Sequence, residues 1–430
     1  MEILIKNAAI VTQNKNREII ERGFVSIKGK FIAAIGRGNP KKTSAKKQIT
    51  IDASGYALFP GFINSHVHLG ETIYPKFIGK KNSLESYIEI TNKISLLSKI
   101  PEKERRTVCD YSLLKIIKSG TTAVAGGRTR ESAESFEIIN VSGYMLMQSP
   151  KLGKFSIDIE KNFSNEFRSS KKQLTIPSIF IHSLSTVDHK ILSSVRYIKR
   201  KYKNIPIMVH AGETKEAEKT AIIKFGTTSV QTLNKYGLLG KQTLLVHANN
   251  LSREDVKLII NSGASVVHCL SSNLRLTGTT ADIKYLKNKK ANICIATDGY
   301  TTSGTLSVLF EARECYKYHN KEAETCLSAQ EVFDMITINP AKALGISEKT
   351  GSIEKLKRAD IVFIKINKTV TSKILSSLLS DDSMNPNGVI AGGKIMVWEN
   401  KFVSQSESAI VRKFIKSEEK MAKDLARKTI

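Results

Sequence analysis

Residues 59–70 read FPGFINSHVHLG, an apolar run that ends in two histidines two positions apart. In extended backbone alternate side chains share a face, so His66 and His68 point one way while Val67 packs on the other side. Three further apolar runs end in a metal-affine side chain. They are IPIMVHAGET with His210, TLLVHANNLS with His247 and ICIATDGY with Asp298, and Glu213 follows His210 as H-x-x-E. A single H-x-H is a weak signal, because a lone histidine in such a place is usually a hydrogen-bonded core or surface residue. Four separate runs that each deliver a ligand-type residue are not explained that way. Imidazole and carboxylate donors suit Zn²⁺, or Fe²⁺ in a similar site.

Working outward, from Leu58 onward apolar runs alternate with helical stretches, the pattern of βα units around a parallel sheet. Eight runs have strand character: ALFPGFINSHVH, GTTAVAGG, SGYMLMQ, LTIPSIFIHS, IPIMVHAG, TLLVHAN, ASVVHCLS and ICIATDG. ERRTVCDYSLLKIIKSG has helical spacing with Gly120 as its stop, and SREDVKLIINSG has Ser252 as N-cap and Gly263 as its end. Eight such units predict an α/β fold, a (β/α)8 TIM-type barrel, whose active site lies at the carboxyl ends of the strands. Every ligand-type residue follows its run and none precedes it.

Both chain ends read differently. ILIKNAAIVT, a hairpin turning at Lys28-Gly29-Lys30 and QITIDASGYAL open the chain, while ADIVFIKI, GVIAGGKIMVWEN and KFVS close it. They are expected to pair into one small β-sandwich domain. The organisation read from sequence is therefore 1–57 as the first β part, 58–350 as the barrel, 351–404 as the second β part and 405–430 as a C-terminal helix. That helix places Val411, Phe414, Ile415, Met421 and Leu425 near one face, as a surface-docking helix does.

The 430 residues, 41% of them hydrophobic, are ample for a large core. No stretch has the length and purity of a membrane span, and MEILIKNAAIVTQNKN is no signal peptide. Cys109, Cys269, Cys294, Cys315 and Cys326 form no C-x-x-C pair, which points to thiols in a reducing cytoplasm. The formal charge of +27 comes from lysines spread along the chain without interleaved aromatics. Solvated surface charge accounts for it better than a specific nucleic-acid or membrane partner.

PGFINSHVH, HAGET, VHANNLSREDVKLIINSGASVVHCLSSNLRL, IATDG and NPAKALGISEKTGSIEKLKRADIVFI together resemble the amidohydrolase superfamily. The resemblance is to the branch of cytosine, guanine and methylthioadenosine/S-adenosylhomocysteine deaminases, aminofutalosine deaminase and the triazine hydrolases. It implies that His66, His68, His210 and Asp298 bind one divalent metal ion, Zn²⁺ or Fe²⁺. It implies catalytic roles for Glu213, His247 and Asp298, and substrate contacts for His182, His268 and Asn273, with Ser272 beside them. The fourth strand offers no lysine at its end, which favours a single metal over the binuclear plan of dihydroorotases. It also implies a homodimer.

Two stretches depart from the resemblance. Leu69 to Pro75 replaces the Met-Thr-x-Leu-Arg-Gly of methylthioadenosine-type deaminases, and Thr302-Ser303-Gly304 stands where many relatives carry Ser-Asn-Asn. Both bear on substrate rather than on metal. Glu71 and Arg128 could reach the pocket, with solvent-facing or helix-end roles as the equal alternative, whereas His189 and His319 fall in helical stretches and receive no role.

The function so implied is a metal-dependent aminohydrolase. A metal held there would supply hydroxide to attack the amino-bearing carbon of a purine or pyrimidine base or nucleoside, and Glu213 would move the protons. Since acidic residues also favour helix starts, a capping Glu213 is the competing reading. Removal of chloride or an alkylamine from a triazine-like ring is the alternative chemistry. A basic nucleic-acid-binding protein or non-catalytic scaffold is the alternative class, opposed by the intact ligand set.

Overall fold

The computed structural model describes residues 2–40, 48–75, 87, 101–126, 130–148, 159–170, 174–321, 327–366 and 373–428, so Arg128 and Cys326 lie outside the described residues. Five strands come first: β1 (Glu2–Val11), β2 (Ile19–Lys28), β3 (Phe31–Arg37), β4 (Gln48–Asp52) and β5 (Tyr56–Pro60). Nine strands of a second sheet follow: β6 (Phe62–His68), β7 (Thr121–Gly126), β8 (Ile139–Leu146), β9 (Thr175–Ser183), β10 (Ile207–Ala211), β11 (Thr243–His247), β12 (Ser265–His268), β13 (Asn292–Ile295) and β14 (Asp298–Gly299). The chain then returns to the first sheet with β15 (Ile361–Lys365), β16 (Pro386–Ala391), β17 (Lys394–Trp398) and β18 (Lys401–Phe402).

The second sheet runs in the order β13-β12-β11-β10-β9-β8-β7-β6-β14, with every pair parallel. β13 and β14 are two halves of one strand interrupted at Ala296-Thr297, so the pairing of β14 with β6 closes the ring. Helices cover its outside, which buries the strands on both faces and explains their near-continuous apolar runs. The fold class is thus the (β/α)8 barrel, accompanied by a mixed sheet drawn from both chain ends, ordered β18-β17-β16-β15-β5-β1-β2-β3 with β4 on β1.

Three sequence runs expected as single strands are each two. ALFPGFINSHVH divides at Gly61, where β5 leaves β15 and β6 joins β7. A Cβ at Gly61 would stand 2.1 Å from Thr122 Oγ1, so only glycine lets the two sheets approach there. QITIDASGYAL divides around Gly55, whose φ of 77° turns the chain. ICIATDG divides because its end must swing from β12 to β6. The Asn64 side chain fixes that swing: Nδ2 donates to Thr297 Oγ1 at 2.7 Å and Oδ1 accepts from Thr297 N at 3.2 Å.

Helix ends follow the expected chemistry. Ser252 and Asp255 form a reciprocal capping box at Arg253–Ser262, and Gly263 ends that helix with φ 72°. The C-terminal helix Glu407–Lys428 docks on the helix Glu102–Lys118, with Phe414 stacked on Tyr111 at 3.9 Å and Lys420 paired with Glu104 at 2.5 Å. Phe414 and Met421 bury against Ile73 and Val108, while Ile415 is half-exposed and the Leu425 side chain lies outside the described ones. Among the described residues no helix is long and apolar enough to cross a membrane.

Candidate metal centre

Four of the expected donors converge at the carboxyl end of the barrel. His66 and His68 end β6, His210 lies in β10 and Asp298 opens β14, and one ligand atom from each lies within 4.8 Å of all the others. His66 Nε2 stands 3.1 Å from both His68 Nε2 and His210 Nε2. Asp298 Oδ1 stands 3.4 Å from His66 Nε2 and 3.1 Å from His68 Nε2. Ligand atoms about 2.0–2.1 Å from one tetrahedral ion stand roughly 3.3–3.4 Å apart. The donor atoms thus describe the edges of a polyhedron around a single ion, and the residues fit a divalent metal.

The electrostatics agree. Burial pushes His66 down to about 4, although Asp298 pulls it back up, and burial with neighbouring imidazoles lowers His210 well below its ordinary value. Both rings therefore offer lone pairs at neutral pH. Burial also pulls on His68, yet the carboxylates of Glu71 and Asp298 raise it to about 9. Positive charge is favoured where its ring meets Asp298, the place a cation would take.

The carboxylate of Asp298 is divided between two duties. Oδ1 faces the imidazoles, while Oδ2 accepts from Ser272 Oγ at 2.6 Å and Thr302 Oγ1 at 3.0 Å. Its backbone has φ 58°, and that of His247 has φ 75°. Left-handed backbone at non-glycine residues costs of order 1–3 kcal/mol and clusters at functional sites. Phe180, in β9, packs edge-on against His66 and His210 with centroids 5.2 and 5.1 Å away, limiting their tilt.

The other expected residues divide by position. His247 stands next to His210, ring centroids 4.9 Å apart, with Nε2 3.7 Å from Glu213 Oε1. The helix after Glu213, Lys215–Phe225, is capped by Thr214, whose side chain accepts from Ala217 N at 3.0 Å. Glu213 is thereby left facing the donors. His182 lies 5.2 Å from His210, its Nδ1 3.2 Å from Thr186 Oγ1, and burial pushes it down to about 4. Asn273 reaches the site through His247, with Oδ1 accepting from Nδ1 at 2.8 Å. That bond puts a His247 proton on Nδ1 and turns Nε2 toward the Glu213 side of the site. His268 is different: its fully buried ring meets His319, Nε2 to Nε2 at 3.2 Å, on the helix Val308–His319. Neither ring belongs to the four-donor cluster.

Glu71 joins this set in a way the sequence left open. It begins the short 3₁₀ turn Glu71–Ile73, with Oε1 3.3 Å from His68 Nδ1 and accepting from Tyr87 OH at 3.2 Å. Burial raises it to about 7 against the pull of His68. A carboxylate on the far nitrogen of a ligating histidine fixes the ring and its tautomer. Gly299 makes room for it, since a Cβ there would lie 1.9 Å from Glu71 Oε2. Gly299→Ala should therefore cost about 1–3 kcal/mol of unfolding free energy, as overpacking does. An unchanged urea midpoint would show that the carboxylate does not rest on Gly299.

Fold and donor set define a metal-dependent hydrolase on a (β/α)8 barrel. The Amidohydrolase family model matches residues 57–396, and the chain belongs to that family. Over 441 aligned residues, 99% of each chain, it is 27% identical to the 5-methylthioadenosine/S-adenosylhomocysteine deaminase of Clostridium tetani. An adenosine deaminase from Xanthomonas campestris with bound zinc superposes with a TM-score of 0.85 at 21% identity, over 98% of each chain. The zinc complex of the atrazine chlorohydrolase of Arthrobacter aurescens TC1 gives 0.86 at 20% identity, over 97% of this chain and all of that one. The two structures bear on the fold alone.

Proposed function

We propose that the chain hydrolytically deaminates an amino-substituted heterocycle, with the amino group of an adenine nucleoside as the first substrate to test. The observation that carries this reading is Glu213, relieved of capping by Thr214 and 3.7 Å from His247 beside the four-donor cluster. The deaminase name of the Clostridium tetani relative, matched end to end, supports the leaving group. His66, His68, His210 and Asp298 would hold one ion, Zn²⁺ or Fe²⁺. A divalent ion bound there supplies Lewis acidity and lowers the pKa of a water from about 15.7 to roughly 7.

The chain's own groups then divide the work. Asp298 is placed to receive the proton that the attacking water gives up. Glu213, 23% exposed at its side chain, relays the two protons of that water in turn, the first to the ring nitrogen beside the amino-bearing carbon and the second, handed on from Asp298, to the departing ammonia. His247, held by Asn273, orients the attacking oxygen through Nε2. His182 lines the substrate side. Buried Cys109 and Cys294 fit a reducing cytoplasm, and family likeness makes a homodimer the assembly to test.

The experiment is ammonia release across a panel of aminopurines, their nucleosides and 5′-substituted adenosines, aminopyrimidines, and a chloro- and an alkylamino-triazine. Ammonia from at least one purine or pyrimidine member is the expected result. Release of only chloride or alkylamine from the triazines would replace this reading with the alternative chemistry.

A further inference from the structure

His268, Cys315 and His319 form a second cluster of metal-ligand type, distinct from the four hydrolytic donors, with one ligand atom from each within 4.8 Å of the others. Cys315 and His319 are four residues apart on the helix Val308–His319, hence on one face. His268 ends β12 and faces them across the gap between barrel and helix. We propose that His268, Cys315 and His319 bind a second, structural metal ion, of the Zn²⁺ class, that clips this helix to the end of β12.

The geometry carries the assignment. His268 Nε2 and His319 Nε2 stand 3.2 Å apart, close to the edge of roughly 3.3–3.4 Å that two imidazole nitrogens span on a tetrahedral zinc. His268 and Cys315 are fully buried. The two facing nitrogens either share one N–H or both coordinate an ion, and Cys315 beside them supplies the third donor that favours the ion. A thiolate with two imidazoles is a soft-to-borderline donor set that suits zinc over magnesium or calcium. On binding, the Cys315 thiol releases its proton to solvent. Glu311, one turn before Cys315 on this helix, is fully buried, and its Oε2 accepts from Ser271 N at 3.2 Å.

The clip has a consequence for the hydrolytic centre. β12 runs on into the helix Leu270–Thr277, which carries Ser272 and Asn273. Those two residues hold Asp298 and His247. A metal at the end of β12 would steady the segment that positions both.

Cobalt distinguishes the two sites, because the hydrolytic donors include no sulfur. Protein loaded with Co²⁺ should take up two ions per chain and show a sulfur-to-cobalt charge-transfer band in the near ultraviolet. Cys315→Ser should lose the band and one ion. His319→Gln, at a partly exposed helix end, should weaken that ion's binding at least about tenfold. Asp298→Asn should keep the band, since it touches only the other site. Circular dichroism on each variant separates loss of the site from loss of the fold. Saturation of folded parent protein at one Co²⁺ without the band, or a band that survives Cys315→Ser, would overturn the proposal. Neither outcome would touch the proposed deamination.

Discussion

Glu213→Gln should abolish turnover while the hydrolytic ion stays bound. Glutamine keeps the shape of glutamate and one accepting oxygen, but it cannot carry a proton between water, ring nitrogen and leaving group. The ion would stay because Glu213 is not among the four clustered donors and His210 keeps its place in β10. General acid–base groups contribute about 10²–10⁴-fold. A single carboxylate that serves both ring protonation and ammonia departure should fall at or beyond the upper end. The competing role, capping the next helix, would predict about 1 kcal/mol of lost stability and near-normal kcat. Thr214 holds the cap of Lys215–Phe225, so the melting temperature should barely move. kcat, metal content and melting temperature are to be measured on one preparation, and a kcat within a few-fold of the parent would sink the assignment.

The same reasoning shows which parts of the site a sequence can display. His66 and His68 were legible because a strand alternates with period two, which puts both on one face whatever surrounds them. The barrel was legible because parallel strands buried on both faces leave long apolar runs. Features set by a partner far along the chain were not. Glu71 follows its strand by three residues and has the sequence context of a surface or helix-end acid. It is buried because the turn Glu71–Ile73 folds back onto Gly299, more than two hundred residues away. Asn273 and Ser272 were expected to line the pocket, and their bonds to His247 and Asp298 join elements that the sequence keeps apart. The pairing of His268 with His319 joins a strand end to a helix end, and neither stretch announces the other. The strand breaks at Gly61 and Ala296-Thr297 have the same origin, since a change of pairing partner is a tertiary event that leaves hydropathy untouched.

Asp298→Asn is expected to remove the hydrolytic ion and, with it, activity. Asparagine is the informative substitution because the position has φ 58°, a left-handed backbone that asparagine tolerates and alanine does not. Size is also preserved, so Ser272 and Thr302 can rotate their hydroxyls to meet the amide. The variant therefore changes the charge at the ion and little else. Losing that charge places an uncharged amide 3.1 Å from His68 Nε2, where the site favours a carboxylate–cation–imidazole arrangement. Altering an outer-shell partner of a metal ligand costs about 10–100-fold in affinity, and a direct ligand should cost at least that. The water would also lose its nearest proton acceptor, so kcat should fall by a further factor of about 10²–10⁴ in protein that retains some ion. The expected measurement is one metal equivalent fewer per chain than the parent under dialysis, with activity at background. Full metal content with lost activity would reassign Asp298 from ligand to proton acceptor. Full metal content with a kcat near the parent's would place the reacting centre elsewhere on the barrel.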